Sequence, residues 1–147
     1  MKVIIGADHG GYELKNHIGI WLKHNQYEVE DIGVFSSDSV DYPDIALKVA
    51  NEVANENYER GIIVCGSGVG VSITANKVKG IRAVLCHDSV LARLSREHND
   101  TNIITMGGRF IAKEMAYEIL DVWFNTRFTN GRHSERLEKI KQIEENL

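Results

Sequence analysis

The sequence predicts a doubly wound α/β sandwich, with five parallel strands and helices on both faces. Three observations predict it. Short apolar, β-branched runs alternate with amphipathic stretches along the whole chain. The runs are nearly continuous in their apolar character, the pattern of strands covered on both faces. No linker, repeat or low-complexity segment breaks the alternation, and 147 residues fit one domain at roughly 150 residues each.

Taken in order, "KVIIGA" (2–7) reads as a buried first strand. The stretch "GYELKNHIGIWLKHN" that follows places Leu14, Ile18, Trp21 and Leu22 on one helical face. "YEVEDIG" (27–33) is shorter and more polar, so it reads as a strand nearer an edge. "YPDIALKVANEVAN" is a helix with Pro43 in its first turn, where the missing N–H costs nothing. Ile45, Val49 and Val53 are its expected buried stripe. "RGIIVCG" (60–66) is the third strand and "VGVSITANK" a short helix. "IRAVLCH" (81–87) is the fourth strand, followed by the helix "SVLARLSREH". "NIITMGG" (102–108) is the fifth strand, followed by the long helix "FIAKEMAYEILDVWFN". "RHSERLEKIKQIEENL" closes the chain as a polar, amphipathic helix.

Composition narrows the function. A net charge of −4 argues against a general nucleic-acid surface, which would be basic and clustered. No run approaches the ~18 apolar residues of a membrane span, so no membrane partner is expected. "MKVIIGADHGG" turns polar too soon for a signal peptide. Two cysteines without CxxC spacing argue against a disulfide framework or zinc knuckle, and a reducing cytoplasm is the simplest compartment. No helix carries histidines at H-x-x-x-H spacing, so no metal is expected.

Open α/β sheets bind ligands beyond the carboxyl ends of their strands, near the switch point of strand order. In a flavodoxin-like order that point lies between strands one and three. Asp8-His9 would then stand beside Cys65 and the loop Gly66-Ser67-Gly68-Val69-Gly70. This loop opens a helix, so its amides and the helix dipole could hold an anion. Its G-x-G-x-G spacing matches neither the P-loop nor the dinucleotide fingerprint. A tight turn needing positive φ is the plainer alternative, although three glycines exceed what one turn requires. For Cys65 the default is packing. A helix N-terminus, however, stabilises a thiolate, which can then act as a base or nucleophile. Cys86 lacks the loop and reads as packing.

Arg132 and Arg136 are four apart and share a helical face, with His133 between them. Cations are disfavoured in a helix's first turns. A bound anion would resolve this, and the alternative is a solvated charged face. Beside a glycine nest, a phosphate clamp is the favoured reading. His98 and Asn99 end a helix, where a charged histidine is stabilised, and simple capping is the alternative. Together with Arg109 after the fifth strand, these parts suit a phosphorylated small molecule undergoing proton transfer. Moving a proton between adjacent sugar carbons passes through an enediolate, which needs a base, oxyanion donors and an acid for ring opening.

The motifs "GADHGG", "SVDYPD", "CGSGVGVSITANKVKGIRA", "LSREHNDTN", "GGR" and "GRHSERL" resemble those of the ribose-5-phosphate isomerase B family. That family includes galactose-6-phosphate isomerase subunits and allose-6-phosphate isomerases, and the resemblance covers nearly the whole chain. It implies a Rossmann-like three-layer sandwich working as a homodimer, often paired into a tetramer, with the C-terminal helix on the partner subunit and no cofactor. It implies that Cys65 is the base between C1 and C2 and that Gly66 to Gly70 hold the enediolate. His98 would open the furanose ring with Asp8, and Asn99 would contact the sugar. His9, Arg109, Arg132 and Arg136 would face the phosphate. The family shares its site between subunits, with the His98 region reaching in from the partner. Ser67 stands where the family often has threonine, which keeps the hydroxyl and slightly enlarges the pocket floor. Ser72 offers no glutamate base. The rival readings are a hexose 6-phosphate isomerase and a phosphate-binding module without turnover, which would need no thiol. A redox sensor is a further rival, but no resolving cysteine lies near Cys65 in sequence.

Overall fold

The computed structural model describes residues 1–147. The strands are β1 (Lys2–Ala7), β2 (Glu28–Asp31), β3 (Arg60–Cys65), β4 (Ala83–Leu85) and β5 (Ile103–Gly107). The helices are α1 (Tyr12–His24), α2 (Tyr42–Ala54), α3 (Val69–Ala75), α4 (Ser89–Asn99), α5 (Lys113–Asn125) and α6 (Arg132–Glu145). All five strands join one parallel sheet, and the fold is the expected Rossmann-like α/β sandwich. No helix is long and apolar enough to cross a membrane.

The strand order is β2-β1-β3-β5-β4. The flavodoxin-like order is therefore corrected at one edge, where the last two strands are exchanged. Burial gives the reason. Every residue of β5 is buried, whereas the three residues of β4 are each partly exposed. The strand with apolar contacts on both faces takes the inner place, and the short one takes the edge. The run 81–87 looks longer in sequence because Ile81 and Cys86 are buried on either side of the strand itself. β2 lies at the other edge with alternating exposure, as its polar sequence suggests.

Side chains alternate across the sheet and divide the core in two. Val3, Ile5, Ile62, Val64, Ile104 and Met106 meet α1 and α5. Leu14, Ile18 and Leu22 of α1 face this layer as expected, while Trp21 is half-buried and stacks on Tyr27 and Tyr117. The fully buried Trp123 donates its Nε1–H to Thr101 Oγ1 at 2.9 Å, the partner such a ring needs. On the other face Ile4, Ile63 and Ile103 meet α2 and α3. The buried stripe of α2 is Ala46, Val49, Ala50 and Val53, and the expected Ile45 is only partly covered. Ile45 instead caps Gly6, where an added Cβ would lie 2.9 Å from its Cγ2.

α6 buries none of its residues. Glu144 near its end accepts the Gly80 N–H at 3.2 Å, while Ile140 and Ile143 remain exposed.

The start of α1 is pressed onto β3. A Cβ at Gly11 would lie 2.3 Å from the Val64 carbonyl oxygen, a backbone atom that cannot swing aside. Gly11→Ala is expected to cost about 3 kcal/mol, the upper range of overpacking. That corresponds to a thermal midpoint lower by about 6–12 °C for a chain of this size. An unchanged midpoint in a melting scan would contradict this packing.

Candidate active site

Three strand ends are tied together by backbone bonds. The Asp8 N–H donates to the Val64 carbonyl at 3.2 Å, the Gly108 N–H to Cys65 at 2.8 Å, and the Arg109 N–H to Gly66 at 3.1 Å. The loops after β1, β3 and β5 therefore converge at the switch point between β1 and β3, as expected. A cleft of about 350 Å³ opens there between Asp8, Tyr42, Cys65, Ser67, Arg109 and Phe110, with Gly66 and Gly70 in its wall. A neighbouring cleft of about 470 Å³ shares Arg109 and is walled by His9, Tyr12 and Ser37. Clefts of about 520 and 540 Å³ beside Gly80 and Arg82 are larger. Their Arg82 is spent on the carbonyls that end α4.

Cys65 is 5% exposed, and its Sγ accepts the Gly68 N–H at 3.0 Å. The donor is held in place from behind, where the buried Thr105 hydroxyl donates to the Gly68 carbonyl at 2.9 Å. Gly68 has φ +79°, and a Cβ there would lie 2.6 Å from Leu85 Cδ1. Only glycine fits both demands. Ser67 Oγ accepts the Val69 N–H at 3.2 Å, and the Val69 side chain is exposed. Two of the loop's amides are thus used internally. Those of Gly66, Ser67 and Gly70 have no acceptor within the chain.

Around the thiol, Asp8 is 7% exposed and its Oδ1 accepts the N–H groups of Gly10 and Gly11 at 2.9 and 3.2 Å. This fixes the turn into α1. His9 Nδ1 accepts the Val40 N–H at 3.4 Å, which leaves the ring proton on Nε2 in the neutral tautomer. The Arg109 guanidinium lies against Gly66, where a Cβ would be 3.0 Å from its Nη1. His87 Nε2 accepts the Gly107 N–H at 3.2 Å, and its ring stacks on Phe110 at 6.2 Å.

Tyr42 and Phe110 were not among the residues expected here. Tyr42 begins α2, and its ring lies over Gly70, where a Cβ would be 2.6 Å away. Its place after an edge strand was the available signal. Phe110 was expected inside the helix 110–125. Instead its N–H closes a turn onto the Gly107 carbonyl, α5 starts at Lys113, and the ring is 70% exposed.

His98, Asn99, Arg132 and Arg136 form a second group elsewhere. α4 runs back along the sheet after β4, so 11 residues at ~1.5 Å each carry His98 to the opposite end from Cys65. There the rings of His98 and His133 stack at 4.4 Å, beside the first turn of α6 and its two arginines. Burial beside the neighbouring ring pushes the His133 pKa down, and the positive charges of His98, Arg132 and Arg136 add to this. The end of α4 is itself clamped. Arg82 donates to the Asn99 and Asp100 carbonyls at 2.9 Å each, and Arg96 to Thr101 at 2.6 Å.

A family profile described as Ribose/Galactose Isomerase matches residues 3–140. The chain is 45% identical over 144 residues to ribose-5-phosphate isomerase B of Escherichia coli K12, covering 98% of this chain and 97% of that one. A ribose-5-phosphate isomerase B structure from Clostridium thermocellum superposes with a TM-score of 0.98 at 51% identity, covering 99% of both chains. The Mycoplasma genitalium enzyme with bound ribulose-5-phosphate superposes with a TM-score of 0.95 at 38% identity, covering 99% of this chain and 97% of that one.

The stacked histidines give a measurable consequence. The pKa of His133 is lowered, so an NMR titration should place its midpoint below the ordinary histidine value of about 6.5. Arg136→Ala removes one of the charges responsible and should move the midpoint up. A midpoint at or above the ordinary value in the unmodified protein would contradict this arrangement.

Proposed function

Because the chain belongs to the Ribose/Galactose Isomerase family, we propose that it interconverts ribose 5-phosphate and ribulose 5-phosphate through an enediolate. One observation carries the reading. A thiol sulfur accepts a backbone N–H at 3.0 Å at the mouth of a cleft whose neighbouring amides have no partner in the chain.

On this reading Cys65 acts as the base. Its thiolate takes the proton from C2 of the open-chain aldose and returns it to C1, while the O2 proton passes to O1. No net oxidation occurs. Within the loop Gly66 to Gly70, the negative charge that develops on oxygen is met by the unpartnered amides of Gly66, Ser67 and Gly70, which need not reorganise to receive it. Ser67 supplies a hydroxyl at the same wall. His98 donates a proton to the ring oxygen to open the furanose, with Asp8 on the sugar and Asn99 in contact with it. His9, Arg109, Arg132 and Arg136 hold the phosphate.

These assignments require two copies of the chain. Cys65 and His98 lie at opposite ends of one sheet, so His98, Asn99 and the α6 arginines serve the cleft of a partner. The exposed Ile140 and Ile143 of α6 suit a helix that packs on the second subunit. A homodimer with shared sites follows, and pairing of dimers would give a tetramer. Two free cysteines fit a reducing, cytoplasmic setting.

Purified protein should form ketose from ribose 5-phosphate faster than from allose 6-phosphate or galactose 6-phosphate assayed in parallel. No ketose from any of the three sinks the reading, and a preference for a hexose phosphate reassigns the substrate. Cys65→Ala should lower kcat by ~10²-fold or more, the scale of losing a general base, with KM little changed. Wild-type rates in the folded variant would remove Cys65 from the chemistry. Since the reading routes charge to backbone amides and needs no metal or cofactor, activity should survive a chelator.

A further inference from the structure

Lys15 lies in the first turn of α1 and its side chain is fully buried. Its Nζ is 2.6 Å from Asp31 Oδ2 and donates to Asn16 Oδ1 at 3.1 Å. The rings of Phe35 and Tyr12 approach the same ammonium, with centroids at 5.3 and 5.8 Å. The other oxygen of Asp31 accepts the Gly33 N–H at 2.8 Å. Gly33 and Val34 continue the β2 pairing, exchanging bonds of 2.8 Å with Ala7 immediately before Asp8.

Burying an ammonium is costly, and a paired ion seldom stabilises a fold more than apolar residues of the same size would. What this one does is tie two elements together. It joins α1 to the segment 32–41, which leads from β2 to α2. The far end of that segment reaches His9 through the Val40 N–H at 3.4 Å. Between these two anchors, Ser37 walls the cleft that His9 and Arg109 also line. Phe35 is 71% exposed yet folds back over Gly33 and the ammonium. A large apolar ring in water is costly to expose, and the cation beneath it is what the ring gains.

We propose that Lys15 is a positioning residue, acting through Asp31 and Phe35 to hold the 32–41 segment closed over the His9 side of the cleft. It touches neither substrate nor thiol. Its effect is on the shape of the cleft wall that faces the phosphate, and so on substrate binding, with the proton transfer at Cys65 left alone. The proposal rests on the isomerase reading for its kinetic consequence and on geometry alone for its structural one.

Two variants test it. Lys15→Met keeps the length of the side chain and removes the charge. Phe35→Ala removes the exposed ring and leaves no buried vacancy, so it decides the matter if Lys15→Met does not fold. KM for ribose 5-phosphate should rise about tenfold in Lys15→Met and about threefold in Phe35→Ala, with kcat within about twofold, the signature of lost uniform binding. Amide exchange at Gly33, Val34 and Val40 should quicken in both. Wild-type KM, a fall in kcat at unchanged KM, or unchanged exchange at these amides would each overturn the proposal. If the unmodified protein turns over no sugar phosphate, the isomerase reading fails and the exchange rates alone decide whether Lys15 holds the segment.

Discussion

The site depends on the parallel register of β1, β3 and β5. Because Ala7 pairs with Val64 and Cys65 with Gly107, three loops leave the sheet side by side. The bonds from Asp8, Gly108 and Arg109 to consecutive carbonyls of β3 and its loop then hold them. Each side chain around the thiol inherits its position from this lattice. Asp8 is placed by β1, Arg109 by β5, and the Gly68 donor by Thr105 on β5. A slip of one residue would turn every side chain to the opposite face. The apolar cores on both faces of the sheet forbid that slip, so packing far from the cleft fixes geometry within it.

The sequence was informative where local chemistry decided the outcome. The Cys65 loop was legible because three glycines after a strand have few other uses, and positive φ at Gly68 is the constraint they answer. Asp8, His9 and Arg109 were legible as residues just past strands. What could not be read was decided between elements. The runs 81–87 and 102–108 are both apolar, and their exchange across the sheet depends on which one the helices cover on both sides. Lys15 lies outside the apolar face Leu14, Ile18, Trp21 and Leu22 that the helix pattern shows, and only the fold brings Asp31 and Phe35 over it. Tyr42 reads as a helix start, and its reach across Gly70 depends on where α2 docks.

The same limit explains the second group. The cationic first turn of α6 and the histidine ending α4 were both visible in sequence, and the fold does bring them together. It does so at the wrong end of the sheet for Cys65 in the same chain. This follows from the parallel pairing of the strands, because a helix that joins two parallel strands must run back antiparallel to them. The end of a helix is therefore never near the end of the strand before it. A sequence whose chemical parts divide between strand ends and helix ends must either use two sites or assemble one from two chains.

The two cysteines show how far residue type alone falls short of chemistry. Both end apolar runs and both are buried. The Cys86 thiol donates to the Asp88 carbonyl at 3.1 Å, and burial pushes its pKa up to about 11. It is protonated at neutral pH and sealed within the α1–α5 layer. The Cys65 sulfur accepts a hydrogen bond where Cys86 gives one, and Cys65 borders the cleft shared with Asp8 and Arg109 while Cys86 is fully buried. The direction of that single bond is set by the backbone turn at Gly68. The glycine loop therefore does more than leave room for a ligand, because its conformation aims an N–H at the one sulfur that borders the cleft.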